Sequence, residues 1–291
     1  MDAALAGRRA SRGVGGTQPL TAPSLTSAGG ADRLSASHRA GLTTPREVLT
    51  VRARMDDLTL YQFELCPYCH KVRAGLELKG LAFRKVEVNP MTKKELPALP
   101  EGAPRKVPVL QTGGETVADS TAILAFLDDK FAGKASFRPA DEAARKRAAE
   151  IEEWVDSELI FALPTVIYGT WGEAVKAAQV TARSSNFGWV SNIGVRVGGS
   201  LIMHQVSKRL LSKRGKTDAH AWVRESVDQF EQWLGDQPFV TGAELSVADV
   251  AMHGALSCVK GFPVFAEIMR RERVARWFAS VQALREANRA S

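Results

Sequence analysis

The sequence predicts an α/β module of about 75 residues followed by an all-helical domain. Three observations carry that prediction. Between Leu58 and Gly80 the apolar period switches from that of a strand to that of a helix. Three more short apolar runs follow between Ala82 and Ala118, the last two joined through Gly113 and Gly114. Beyond a Pro-containing linker near residues 133–140, every apolar stripe has helical spacing.

The elements follow in order. "LTLYQF", Leu58 to Phe63, is apolar, aromatic and bounded, and reads as a strand. In "CPYCHKVRAGLELKG", Cys69, Val72 and Leu76 share a helical face, and Gly80 ends the helix. "AFRKVEV", Ala82 to Val88, alternates as a second strand. "VPVL", Val107 to Leu110, is a third, and Thr116 to Ala118 closes a hairpin as a fourth. Asp119 or Ser120 caps a helix through Ile123, Leu124 and Leu127.

In the second half, Ala148, Ile151, Val155 and Leu159 form one stripe. Ile202, Val206 and Leu210 form another. Val223, Val227, Phe230 and Leu234 form a third, with Gly235 as its cap. Ser246 and Asp249 have the spacing of a capping box, and the last helix holds Val274, Trp277, Phe278 and Val281. His204 and His253 lie in mostly apolar helical runs and read as packed residues. Cys258 reads as a core thiol. Lys208, Arg209, Lys213 and Arg214 read as a solvated helix end. "SSNFGWV", Ser184 to Val190, reads as a polar-aromatic loop.

The chain has 291 residues and 45% hydrophobic composition, enough for two cores and without a window apolar enough to span a membrane. Three cysteines exclude a disulfide framework. Residues 1–55 hold eight arginines, no lysine and three acids. They account for +5 of the net charge of +7. Phe, Tyr and Trp are missing there, a composition that favours disorder and matches the transit-peptide pattern. Val51 and Ala53 fit the Val-x-Ala that often precedes plastid cleavage. The expected location is organellar, chloroplast first, with mitochondrion or cytoplasm as alternatives. Neither finger spacing nor an aromatic-basic stripe calls for nucleic acid.

Cys66 and Cys69 stand at the junction of the first strand and helix. Cys66 falls at the helix start, where Pro67 costs no hydrogen bond. The positive end of the helix favours a thiolate there. Cys69 lies one turn deeper, so the expectation is a nucleophile at Cys66 and a resolving thiol at Cys69. A zinc site would need a second cysteine pair, which the chain does not have; no metal is expected.

"CPYC" is the active-site sequence of glutaredoxins. "RKVPVL", Arg105 to Leu110, resembles the thioredoxin-fold loop with a cis proline. "ADS", Ala118 to Ser120, resembles the acid-serine step of glutathione transferases. The longer run, with "VEVNP", "SKRLLSKR" and "SVADVAMHGAL", resembles the type 2 prostaglandin E synthase family over roughly residues 56–288. The resemblance implies an α/β thioredoxin-like domain at 56–134 and an all-α glutathione transferase-like domain at 135–291, after a disordered segment at 1–55. It implies a glutathione site: Cys66 and Cys69 as thiols, Tyr68 beside them, Val107 and Pro108 along the cysteinyl part, and Asp119 and Ser120 at the γ-glutamyl end. A small hydrophobic or disulfide substrate would be the second partner, and a homodimer is compatible with the family.

The sequence also departs from the animal members. Their tyrosine three residues before the first cysteine is Phe63 here, with Tyr61 the nearest hydroxyl. Their haem-associated stretch matches "SELIFALPTVIY", Ser157 to Tyr168, which has no histidine, so haem is only a side reading. The expected activity is glutathione-dependent thiol oxidoreductase or transferase chemistry. Endoperoxide isomerisation from prostaglandin H2 to E2, or a non-catalytic glutathione- or haem-binding module, is the alternative.

Overall fold

Strand β1 (Thr59–Gln62) is the hub of a four-stranded sheet in the order β2-β1-β3-β4. Helix α1 (Pro67–Leu78) returns the chain so that β2 (Arg84–Glu87) pairs parallel to β1, Thr59 opposite Arg84. β3 (Val109–Thr112) pairs antiparallel on the other side, and β4 (Glu115–Ala118) follows it as a hairpin. Gly113 and Gly114 both have positive φ, 50° and 91°, which a two-residue turn of this hand requires. α2 (Ser120–Lys130) completes a thioredoxin-like unit. The computed structural model describes residues 58–184 and 200–289, so the segment 1–55 with Val51 and Ala53 lies outside the described residues. So do residues 185–190 of the polar-aromatic stretch and the side chains of Ile202 and His204.

The rest of the described chain is helical: α3 (Glu142–Trp154), a π-helical turn (Val155–Leu159), α4 (Ile160–Ile167), α5 (Trp171–Ser184), α6 (Ser200–Lys213), α7 (Ala219–Leu234), α8 (Val247–Cys258), α9 (Pro263–Ile268) and α10 (Glu272–Arg289). Ala148, Ile151, Val155 and Leu159 are all buried, as their spacing predicts. The same holds for the stripes of α7 and α10. The stripe placed on α6 is corrected. Val206 is 41% exposed, and the buried neighbour is Ser207, which donates to the Thr165 carbonyl at 3.3 Å. A hydroxyl with a backbone partner is buried there in place of the branched apolar side chain.

Both helix signals read from the sequence are present. Gly80 at φ 61° ends α1, with its N–H on the Glu77 carbonyl and that of Leu81 on Leu76. The backbone and hydroxyl of Ser246 both donate to the Asp249 carboxylate. Asp249 also accepts from Val240 N–H and Trp277 Nε1, which satisfies a buried charge.

α1 is the keystone because it packs against both halves. A Cβ on Gly254 of α8 would fall 2.5 Å from the Lys71 Cα and N. Those are backbone atoms, so no rotamer change relieves the clash. Gly254→Ala is expected to destabilise the fold by about 2–3 kcal/mol, read by chemical denaturation. Gly75→Ala on α1 should cost less, although its Cβ would fall 2.3 Å from Leu124 Cδ2, because that obstacle is the end of a flexible side chain. Equal losses would show that α1 and α8 can separate.

Candidate active site

Cys66 is the N-cap of α1, with φ −95° and ψ 113°, and Pro67 occupies the first helical position. Its backbone N–H bonds the Phe63 carbonyl at 3.0 Å, closing the turn out of β1. Cys66 is half-buried and Cys69 fully buried. A hydrogen bond from the Cys69 thiol, helped by the N–H groups of Cys69 and Tyr68 and by the Arg73 charge, holds the Cys66 thiol below the ordinary range despite burial. Burial and the neighbouring Cys66 sulfur push Cys69 well above it. The two thiols are therefore unequal in the direction expected from helix position.

Two hollows meet at this turn. One, of about 240 Å³, is bounded by Phe63, Cys66, Val88, Lys93, Lys106 and Val107. The other, of about 520 Å³, runs along Tyr68, Val107, Pro108, Asp119, Ser120, Asp156 and Phe161. Lys106 and Val107 border both, and Cys66 borders the first. The Val107–Pro108 peptide is cis, as the loop resemblance implies. All seven residues expected at the site border these hollows except Cys69, which lies buried behind Cys66.

Asp119 has φ 83°, a left-handed conformation unusual for a non-glycine residue. It is held by its own side chain, which accepts from the N–H groups of Thr121 and Ala122 at 3.0 and 3.1 Å. Asp119→Ala should lose that cap while keeping the unfavourable φ, costing about 1 kcal/mol. Asp119→Gly should cost less, because glycine accepts positive φ. Thermal denaturation of the two variants would rank them, and a less stable glycine variant would contradict the account.

Several residues at the site were not singled out from the sequence. Lys71 is fully buried, with Nζ 2.7 Å from Glu152, 2.7 Å from Asp156 and 3.0 Å from Thr121 Oγ1. Asp156 and Ser157 come from the π-helical turn, a wide winding that brings both to the groove. Asp156 Oδ2 takes Lys71, while Oδ1 is buried with no partner. Burial raises the Asp156 carboxyl, Lys71 opposing it. The Tyr68 hydroxyl donates to the Asp156 carbonyl at 2.9 Å. Burial and then the Asp156 charge push that hydroxyl up, so it stays protonated, and the ring acts as groove wall. The sequence signal available for Lys71 was a lysine two residues after Cys69, on a helix whose every turn must be buried.

His253 is a packed residue. It is stacked on Phe278 at 4.1 Å with Arg285 Nη1 3.0 Å from Nδ1, and burial keeps it neutral. Cys258 is buried, and its thiol donates to the Leu65 carbonyl at 3.4 Å. Among the described residues no His, Cys, Asp and Glu group is arranged to hold a metal, and no helix is long and apolar enough to cross a membrane.

Comparison with known proteins agrees with this architecture. The family profile "Glutathione S-transferase, N-terminal domain" matches residues 60–135, and "Glutathione S-transferase, C-terminal domain" matches residues 211–284. Prostaglandin E synthase 2 of Mus musculus is 26% identical over 275 residues, covering 79% of this chain and 71% of its own. The protein of that name from Danio rerio is also 26% identical, covering 77% and 70%. Among solved structures, the beta-etherase LigF of Sphingobium superposes with a TM-score of 0.57 at 21% identity, covering 80% of this chain and 98% of its own. Human glutathione transferase theta-2, solved with glutathione, superposes with a TM-score of 0.53 at 21% identity, covering 78% and 82%.

Proposed function

We propose that this member of the glutathione S-transferase superfamily is a glutathione-dependent thiol oxidoreductase or transferase, with the Cys66 thiolate as its nucleophile. The observation that carries the reading is the opposite displacement of the two thiols at one helix end, beside a groove of tripeptide size. Glutathione brings two carboxylates, one ammonium and one thiol, and the groove offers a partner for each. Ser120 and the N-terminus of α2 suit the γ-glutamyl carboxylate. Asp119 and Asp156, both on the groove wall, suit the ammonium. The Val107 backbone faces the cysteinyl part, and Lys93 and Lys106 stand ready for the glycine carboxylate.

The chemistry is thiol–disulfide exchange. Cys66 sulfur attacks one sulfur of a substrate disulfide; a new S–S bond forms, the old one breaks, and the departing thiolate takes a proton from water. An external thiol then attacks the outer sulfur of the mixed disulfide and returns Cys66 as thiolate; alternatively Cys69 attacks the Cys66 sulfur, forms a Cys66–Cys69 disulfide and expels the substrate thiolate, and two external thiols reduce that disulfide before the next turnover. A second reading comes from the prostaglandin synthase relatives. In that reading the same sulfur would bond one peroxide oxygen and break the O–O bond, the other oxygen leaving as an alkoxide that takes a proton; loss of the proton from the carbon bearing the S–O oxygen would then form the ketone and expel the thiolate, without net redox. Glutathione disulfide separates catalyst from binder. One glutathione on Cys66, found by intact mass and peptide mapping, supports the reading. A folded protein that takes none, or takes it on Cys69 or Cys258, overturns it.

A further inference from the structure

Arg73 follows Cys66 by seven residues and Cys69 by four, so the three share one face of α1. Helical side chains lean toward the N-terminus, and Arg73 does so. Its Nη1 reaches back to the Glu64 carboxylate, 3.0 and 3.2 Å from the two oxygens, two residues before Cys66. The Arg73 side chain is only 9% exposed, and its Nε and Nη2 are buried without a partner. A buried guanidinium normally has its donors satisfied. Here one carboxylate, itself one-third exposed, does all the balancing, so much of the positive charge is left facing the thiol turn.

That turn is tied to the same pair. His70 Nε2 lies 2.9 Å from the Glu64 carbonyl. The Glu87 carboxylate of β2 accepts the Glu64 N–H and Gln62 Nε2, both at 2.8 Å. We propose that Arg73 is a buried cation that adds to the ionised fraction of Cys66, and that Glu64 attenuates it. Arg73 touches no reacting atom and acts through the field at Cys66, so the proposal rests on the reading of Cys66 as nucleophile. The other titratable groups facing this turn are Tyr68, Cys69 and His70 on α1, Glu87 on β2, Lys93 and Lys106 from the loop before β3, Tyr168 beyond α4 and Cys258 on α8. The other buried cations of this region, Lys71 and Arg285, are each taken up by carboxylates of their own, Glu152 and Asp156 for the first and Glu77 for the second. The Arg73 charge adds to the hydrogen bond from Cys69 in lowering the Cys66 thiol.

The test is the rate of Cys66 alkylation by uncharged iodoacetamide against pH, quantified by peptide mapping on the full chain. Arg73→Met should move the midpoint up and slow alkylation below it about tenfold. Glu64→Gln should move the midpoint down and speed alkylation about threefold below it. Arg73→Lys should stay near the parent. Both neutralising changes break one contact, so a merely structural clamp would shift both midpoints the same way, and that result overturns the proposal. If Arg73→Met fails to fold, Arg73→Gln, which keeps a donor for Glu64 without the charge, takes its place: a midpoint above the parent's supports the proposal and an unchanged one overturns it. A parent whose Cys66 titrates like an ordinary thiol overturns this proposal together with the nucleophile reading. A parent with a low midpoint that neither variant moves overturns this proposal alone.

Discussion

Cys66→Ser is expected to lower thiol-transfer activity by about 10⁴-fold or more, with the fold intact. A serine hydroxyl stays protonated at neutral pH, and neither the helix N-terminus nor the Cys69 hydrogen bond can change that. Cys69→Ser should be milder with glutathione present, because an external thiol can resolve the mixed disulfide. It should be severe only for substrates that need an internal disulfide. Cys69→Ser also keeps a hydrogen-bond donor beside Cys66, so the low Cys66 midpoint should survive that change. Rates with a small disulfide and excess glutathione, measured for both variants, decide the matter. An active Cys66→Ser protein would remove the nucleophile assignment. As pH falls through the depressed Cys66 midpoint, the parent's rate should fall with it, since only the thiolate attacks.

Lys71→Met should be the most damaging single change to stability, about 3–5 kcal/mol by chemical denaturation at pH 7. Lys71 Nζ donates to Glu152, Asp156 and Thr121, which come from α3, the π-helical turn and α2. Removing it leaves two largely buried carboxylates facing each other without a cation. The pH dependence has a definite sign. Burial already raises the Asp156 carboxyl, and Lys71 is the largest influence opposing that rise. Without the lysine it rises further, and a raised carboxyl contributes stability at low pH that is lost as pH climbs through it. The deficit of Lys71→Met relative to the parent should therefore shrink between pH 7 and about pH 5. A deficit independent of pH would mean that lost side-chain packing, and not uncompensated charge, explains the effect. Because Asp156 also holds the Tyr68 hydroxyl and borders the groove, the variant should lose glutathione affinity as well.

Local pattern was enough for most of the fold. The switch from strand to helix at Cys66, the Gly113-Gly114 hairpin, the cap at Asp119 and the capping box at Ser246 are each set by neighbours within four residues, where backbone sterics and short hydrogen bonds act. The buried stripes of α3, α7 and α10 could be read for the same reason: an apolar residue every third or fourth position has one face to bury. Val206 on α6 shows where that reasoning stops. Its spacing was right, but which side of α6 meets a neighbour depends on α4, whose Thr165 carbonyl receives Ser207.

The candidate site divides along the same line. From the sequence came Cys66 at a helix start, Cys69 one turn in, and the Val107–Pro108 and Asp119–Ser120 steps that border the groove. Each belongs to a short motif whose geometry is local. Asp156, Lys71 and the Arg73–Glu64 pair were decided only when the chain closed on itself. Asp156 is 85 residues from Lys71, and no periodicity links them. A lysine or arginine on a helix is normally solvated, so sequence alone puts both on the surface. α1 is clasped between the sheet domain and α8 so tightly that Gly254 meets its backbone, which leaves these two charges no route to water. They must then find partners within the protein, and the carboxylates they find fix the groove wall and the field at Cys66.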